Sequence, residues 1–275
     1  MLKIAFRTLI AISVFTPLSV NAHELWLDAK QYRIEPNTKI VADIKVGQNF
    51  SGSTFSFIPN SHIRFDVALG DTVIPVTGRL GDAPAVNIDP IGEGLNVLIH
   101  QSTTLDVYYA EWEKFGNFIK HKDFKGAEER HDARGLPREK FREAYSRYAK
   151  SLIGVGNSQG QDRAYGLETE IIALENPYTD NIADGLDVKV VYRDMPRADV
   201  QVEIFEKSTE PNTAAEVKVF TTRTNQQGIA TIDVKPGFTY QIDAVVLRED
   251  LSPKAQNIGA VWETLWANST FAIPN

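Results

Sequence analysis

The 275-residue chain contains no cysteine. That excludes disulfide staples and the cysteine-linked lipid anchor of a lipoprotein, so an exported form must hold itself together with a sizeable core. Methionine is almost absent, with two in the whole chain. A metal site here has only nitrogen and oxygen ligands to draw on, which favours Cu(II), Ni(II), Co(II) or Zn(II) over Cu(I). Positive charge is in deficit: 29 Lys and Arg stand against 36 Asp and Glu, a formal net charge of −7. Nucleic acid is thereby excluded as a partner, since phosphate binding requires a basic face. No P-loop or dinucleotide fingerprint occurs, and none of the five histidines sits in an HxH or HExxH arrangement. The chain reads as a non-enzyme.

Long apolar runs are also missing. The one apolar stretch, Leu9 to Phe15, is far shorter than the roughly 20 residues that span a bilayer. It lies between Lys3 and Arg7 on one side and Val20 and Ala22 on the other. A positive start, a short apolar centre and small residues at −3 and −1 form a cleavable secretory signal over residues 1–22. Cleavage after Ala22 would remove Lys3 and Arg7, take the net charge from −7 to −9, and leave a chain beginning His23-Glu24-Leu25-Trp26. The mature form is expected to be soluble, without a membrane anchor.

Beyond Ala22, period-two alternation dominates the first part of the chain. Ile40, Ala42, Ile44 and Val46 share one face; Ile63, Phe65, Val67 and Leu69 repeat the pattern; Leu95–His100 and Leu105–Tyr109 read as further strands. From about 110 to 153 the period changes. Phe141, Tyr145, Tyr148 and Leu152 step by four, three and four, which predicts a helix begun near Pro137 and ended by Gly154 and Gly156. Strands resume at Leu167–Leu174. After a polar connection at 179–185, alternation returns in Leu186–Tyr192, Val200–Ile204, Ala230–Val234 and Phe238–Ala244. The expected fold is mainly β, with two β-sandwich domains. The first covers 23–180 and carries a helical segment at about 110–153. The second, 181–275, resembles the Ig-like, transthyretin and carboxypeptidase-regulatory modules. Trp262 and Trp266 are expected on a closing strand packed on the core.

The candidate chemistry rests on His23. Freed by cleavage, its α-amine, with an ordinary pKa of about 8, and its imidazole Nδ1 can close a chelate ring on one ion. One further histidine would complete a three-nitrogen histidine brace. His100, at the end of a strand on a sandwich rim, is the preferred partner, followed by His121 and His62. His131, beside Asp132 in a charged loop, reads as solvated. Glu24, Asp28, Asp162 and Glu170 are candidate oxygen ligands, with nothing in their spacing to single out an acid–base pair.

The segments AHELWL, YYAEWEKF, RYAKSLIGVG, GLETEIIALENPY and VWETLWANSTF occur in this order between Ala22 and Phe271. Together they resemble a family of exported bacterial proteins catalogued as a domain of unknown function, some of them described as periplasmic components of nickel or cobalt uptake systems. The resemblance implies a periplasmic accessory protein that captures a divalent transition metal (Ni, Co or Cu) and hands it to a membrane transporter. The shared His-Glu-Leu-Trp start supports His23 as first ligand. The competing expectation is a non-catalytic β-sandwich module that binds a protein or a glycan, with His23 incidental. Glycoside hydrolysis on an α/β barrel is disfavoured, because the chain lacks the alternating strand and helix blocks of that fold.

Overall fold

Successive residues along the central strands point into two different cores. Leu152, Val97 and Ala68 belong to one apolar cluster, while their neighbours Ile153, Leu98 and Val67 belong to another. A strand alternates its side chains between its two faces, so the sheet that carries these residues is covered on both sides. The computed structural model describes residues 23–210 and 217–275; the signal expected at 1–22 lies outside them.

The central sheet has ten strands. From edge to edge it runs Lys218–Arg223, Gln201–Ser208, Phe238–Arg248, Trp262–Ile273, Phe141–Val155, Gly94–Ser102, His62–Leu69 and Thr72–Pro75. Two more strands, Arg33–Ile34 and Leu105–Tyr109, also pair with Phe141–Val155. One face is covered by a sheet made of Glu24–Ala29, Ile40–Gln48, Ser51–Phe55 and Val86–Ile88. The opposite face carries Thr169–Ala173, Leu186–Tyr192, Met195–Pro196 and Ile229–Ile232. With 49% strand and 11% helix, the mainly β, sandwich-like expectation is met. Strands from either side of residue 181 join edge to edge: Phe141–Val155 and Trp262–Ile273 run parallel over nine paired positions.

The helix expected through Phe141–Leu152 is not there. Residues Phe141–Val155 form a 15-residue strand in the middle of the sheet, and helix within 110–153 is confined to Trp112–His121 and Ala127–Ala133. The physical reason is double burial. All of Ser146–Val155 is buried, and a strand covered on both faces loses its polar–apolar alternation. What remained was an aromatic spacing that coincides with the helical period. The first of these helices packs Phe115 and Phe118 on Trp262 and Trp266, which are 0% and 2% exposed. Trp266 stacks on Phe118 at 5.7 Å. The closing strand is buried along its whole length, as expected.

Candidate functional site

Three of the four candidate histidines arrive at one corner of the molecule. His23 leads into Glu24–Ala29, whose Glu24 lies opposite Gly47 of the Ile40–Gln48 strand. That strand turns back tightly into Ser51–Phe55. A Cβ on Gly47 would stand 2.0 Å from the Ser51 carbonyl oxygen, so only glycine permits the turn that brings Phe55 to this corner. His100 lies near the end of Gly94–Ser102, on the inner face with Leu98 and opposite Phe65. His62 owes its position to a bulge. The register slips between His62 and Arg64, so that His62, and not Ile63, stands opposite Ser102. Simple alternation would have turned Ile63 inward; instead it is 63% exposed. A bulge re-aims one side chain at the expense of its neighbour.

The result is a ring of aromatics around two imidazoles. His62 and His100 have ring centroids 5.8 Å apart. Phe65 meets His100 edge-on at 5.0 Å, and Phe57 lies 5.4 Å from His62. Beside them opens a cavity of about 310 Å³ lined by His23, His100, Tyr145 and Arg147 together with apolar Leu25, Ile44, Val46, Phe55, Ile58 and Leu105. Burial, reinforced by the nearby His62 and Arg147, pushes the His100 pKa down to about 3. Burial also lowers that of His62. Each ring has a buried Nδ1 without a hydrogen-bond partner. A neutral imidazole with a free ring nitrogen is the form that binds a transition metal. Arg147 anchors the start of the chain's first strand: its Nε donates to the His23 carbonyl at 3.0 Å, and its guanidinium lies 4.6 Å from the Tyr145 ring. Among the described residues, no three His, Asp or Glu side chains already stand in a coordinating arrangement.

His121 lies elsewhere. Its Nε2 is 2.7 Å from Glu203 Oε1, and that hydrogen bond raises its pKa. Next to it, the buried Lys122 ammonium gathers Glu203, Asp243 at 2.9 Å and Glu24 at 3.8 Å. His131, read from the sequence as solvated, is 0% exposed. It accepts the Trp262 indole N–H on Nδ1 at 2.9 Å, and its Nε2 meets the Pro137 carbonyl at 3.1 Å. The charged loop around it is short helix folded over the tryptophans, so this histidine is core. Of the candidate oxygen ligands, Glu24 belongs to the Lys122 cluster, and Asp162 and Glu170 both contact Lys150. Sequence reasoning missed Tyr145 and Arg147 at the cavity because it placed them on a helix. Alternation within AYSRYAKS would have put both on the face now shared with Glu143 and Ala149.

The Domain of unknown function model DUF4198 matches residues 20–247. This chain belongs to that family. No curated protein matches it. Among solved structures, the D0-D1 domain of Intimin is 15% identical over 90% of this chain and 97% of that one, with a TM-score of 0.20. A tetra-tandem repeat from the extending region of a large adhesion protein is 12% identical over 91% of this chain and 49% of that one, also at 0.20.

Proposed function

We propose that this chain is an exported, periplasmic metal-binding protein that captures a divalent transition-metal ion (Ni, Co or Cu) and passes it to a membrane uptake system. One observation carries the reading: residues 23, 62 and 100, far apart in sequence, converge on a single corner, one of them through a bulge. His100 and His62 supply neutral ring nitrogens without hydrogen-bond partners. His23 supplies its imidazole and, once the preceding residues are removed, its α-amine. The resulting set is all nitrogen, as a chain without cysteine requires. The apolar rim of Phe55, Ile58 and Leu105, each at least 40% exposed, favours a second reading in which the corner binds a protein or glycan partner.

Native mass spectrometry of protein secreted and processed by its own signal, titrated with Ni(II), Co(II) and Cu(II), separates the two. Metal capture requires one equivalent of at least one ion. His100→Ala should weaken it by more than the roughly 10–100-fold that changes around the ligands cost. An alanine inserted ahead of His23 should do the same, and His121→Gln should leave affinity unchanged. Correctly processed protein that ignores all three ions, or a His100→Ala variant that binds as tightly, refutes the metal reading and leaves the partner-binding one.

A further inference from the structure

On the other face of the central sheet, a lysine is buried against two carboxylates in an arrangement suited to a covalent reaction. Lys150 lies in the middle of Phe141–Val155, and its side chain is 1% exposed. Its Nζ is 2.8 Å from each Asp162 carboxylate oxygen and 3.4 Å from Glu170 Oε1, with a further contact to the Arg163 carbonyl at 3.2 Å. The Asp162 and Glu170 side chains are as deeply buried, at 0% and 1%. The Tyr165 ring centroid lies 5.3 Å from the amine. Both Asp162 oxygens also accept a backbone N–H: Oδ1 from Arg163 and Oδ2 from Ala173, each at 2.9 Å.

We propose that Lys150 and Asp162 condense into an intramolecular isopeptide bond, with Glu170 as the proton shuttle. The ammonium first returns a proton to Asp162, which leaves a neutral amine, a carboxylic acid and an ionised Glu170 with no proton gained or lost overall. The Nζ lone pair attacks Asp162 Cγ. The new C–N bond forms as the carbonyl electron pair moves onto one oxygen, where the backbone N–H already bound to that oxygen, Arg163 on Oδ1 or Ala173 on Oδ2, stabilises the oxyanion. Glu170 takes a proton from the attacking nitrogen and gives it to the departing hydroxyl. The C–O bond breaks, one water leaves, the amide remains, and Glu170 is again a carboxylate. No oxidant or reductant enters. Burial holds the reactants in contact and replaces two desolvated charges with one neutral amide.

The Lys122 cluster serves as an internal control. Its ammonium also touches carboxylates, but Asp243 Oδ1 and Glu24 Oε2 are buried without a hydrogen-bond donor. An oxyanion formed on Asp243 Oδ1 would lack the backbone donor that each Asp162 oxygen has, so no bond to Asp243 is expected.

The test is the intact mass of the denatured full-length protein, with its N-terminus assigned independently. The folded wild type should be one water lighter than its sequence, and tandem spectra of a digest should show a branched peptide that joins Lys150 to Asp162. Asp162→Ala and Glu170→Gln should both restore the full mass, with folding verified by far-UV circular dichroism. A folded wild type at its full mass overturns the proposal. So does a water loss that maps to any other residue pair, or one that persists in folded Glu170→Gln.

Discussion

The two faces of the central sheet each bury a lysine among carboxylates, yet the two clusters are built differently. Around Lys150 the carboxylate oxygens are taken up: Asp162 binds two backbone N–H groups, and Glu170 accepts the N–H of Tyr165 and of Leu167. These bonds fold the 162–173 segment on itself, and Lys150 ties it to the sheet. Around Lys122, three carboxylates share one ammonium, and an oxygen of Glu24 and one of Asp243 go without a partner. Gln241 and Asn268, on the same sheet face as Asp243, have both amide atoms buried and unpartnered. Backbone donors hold the carboxylates of the first cluster in place. The second depends chiefly on the buried Lys122 ammonium.

That dependence gives the largest expected effect. Lys122→Met removes the buried ammonium from three carboxylates and a cation–π contact to Trp266 at 4.5 Å. Breaking a buried ion pair from one side costs about 3–5 kcal/mol. Urea unfolding should show a loss of that size at pH 8. The loss should shrink by pH 5, because burial already pushes the Glu24 pKa up to about 7, and protonation relieves the repulsion. Adding Glu24→Gln and Asp243→Asn should recover part of the loss. If Lys122→Met unfolds like wild type at both pH values, the two clusters do not differ in the way described.

Much of the architecture was legible because most strands keep one face apolar and the other more polar. Ile40–Gln48 and Leu186–Tyr192 fall where alternation put them. Where both faces are buried, alternation vanishes, and Phe141–Val155 looked helical for that reason. The same effect concealed Lys150, whose position in AKSLIGV gives no sign that its partners lie 12 and 20 residues on. His23 and His100 could be placed at one rim by their positions at strand ends. His62 could not be oriented, because a bulge between His62 and Arg64 has no signature in the residues themselves. His131 was misjudged because charged neighbours were read as a solvated loop, whereas their helix lies over Trp262.

A smaller effect separates burial from pairing. Glu143, 0% exposed, accepts hydrogen bonds from the Tyr109 hydroxyl at 2.8 Å and from the Thr264 hydroxyl. Burial outweighs both and pushes its pKa from 4.5 up to about 7. Between those values the folded protein keeps a proton that the unfolded chain has released, so stability falls as pH rises through this window. At 1.4 kcal/mol per pH unit the decline from this group is on the order of 3 kcal/mol. Glu143→Gln keeps the shape and removes the titration, so the unfolding free energy should decline less between pH 5 and pH 7 than in wild type. An unchanged slope would mean that Glu143 is ionised in the fold.

The least effect is expected where the Lys122 cluster reaches solvent. His121 is 57% exposed, and its hydrogen bond to Glu203 raises its pKa above the usual 6.5. A histidine shifted upward adds stability in full below its unfolded pKa and loses that contribution as pH rises through the folded one. Solvent screening holds such a pair to about 0.2–1 kcal/mol. His121→Gln should therefore cost at most about 1 kcal/mol at pH 6 and close to nothing at pH 9, while Lys122→Met remains severe at the higher value. The two residues are adjacent and share Glu203. A large loss in His121→Gln at pH 9 would show that the histidine supports the cluster by packing, and the contrast between a buried cation and an exposed one would not account for these energetics.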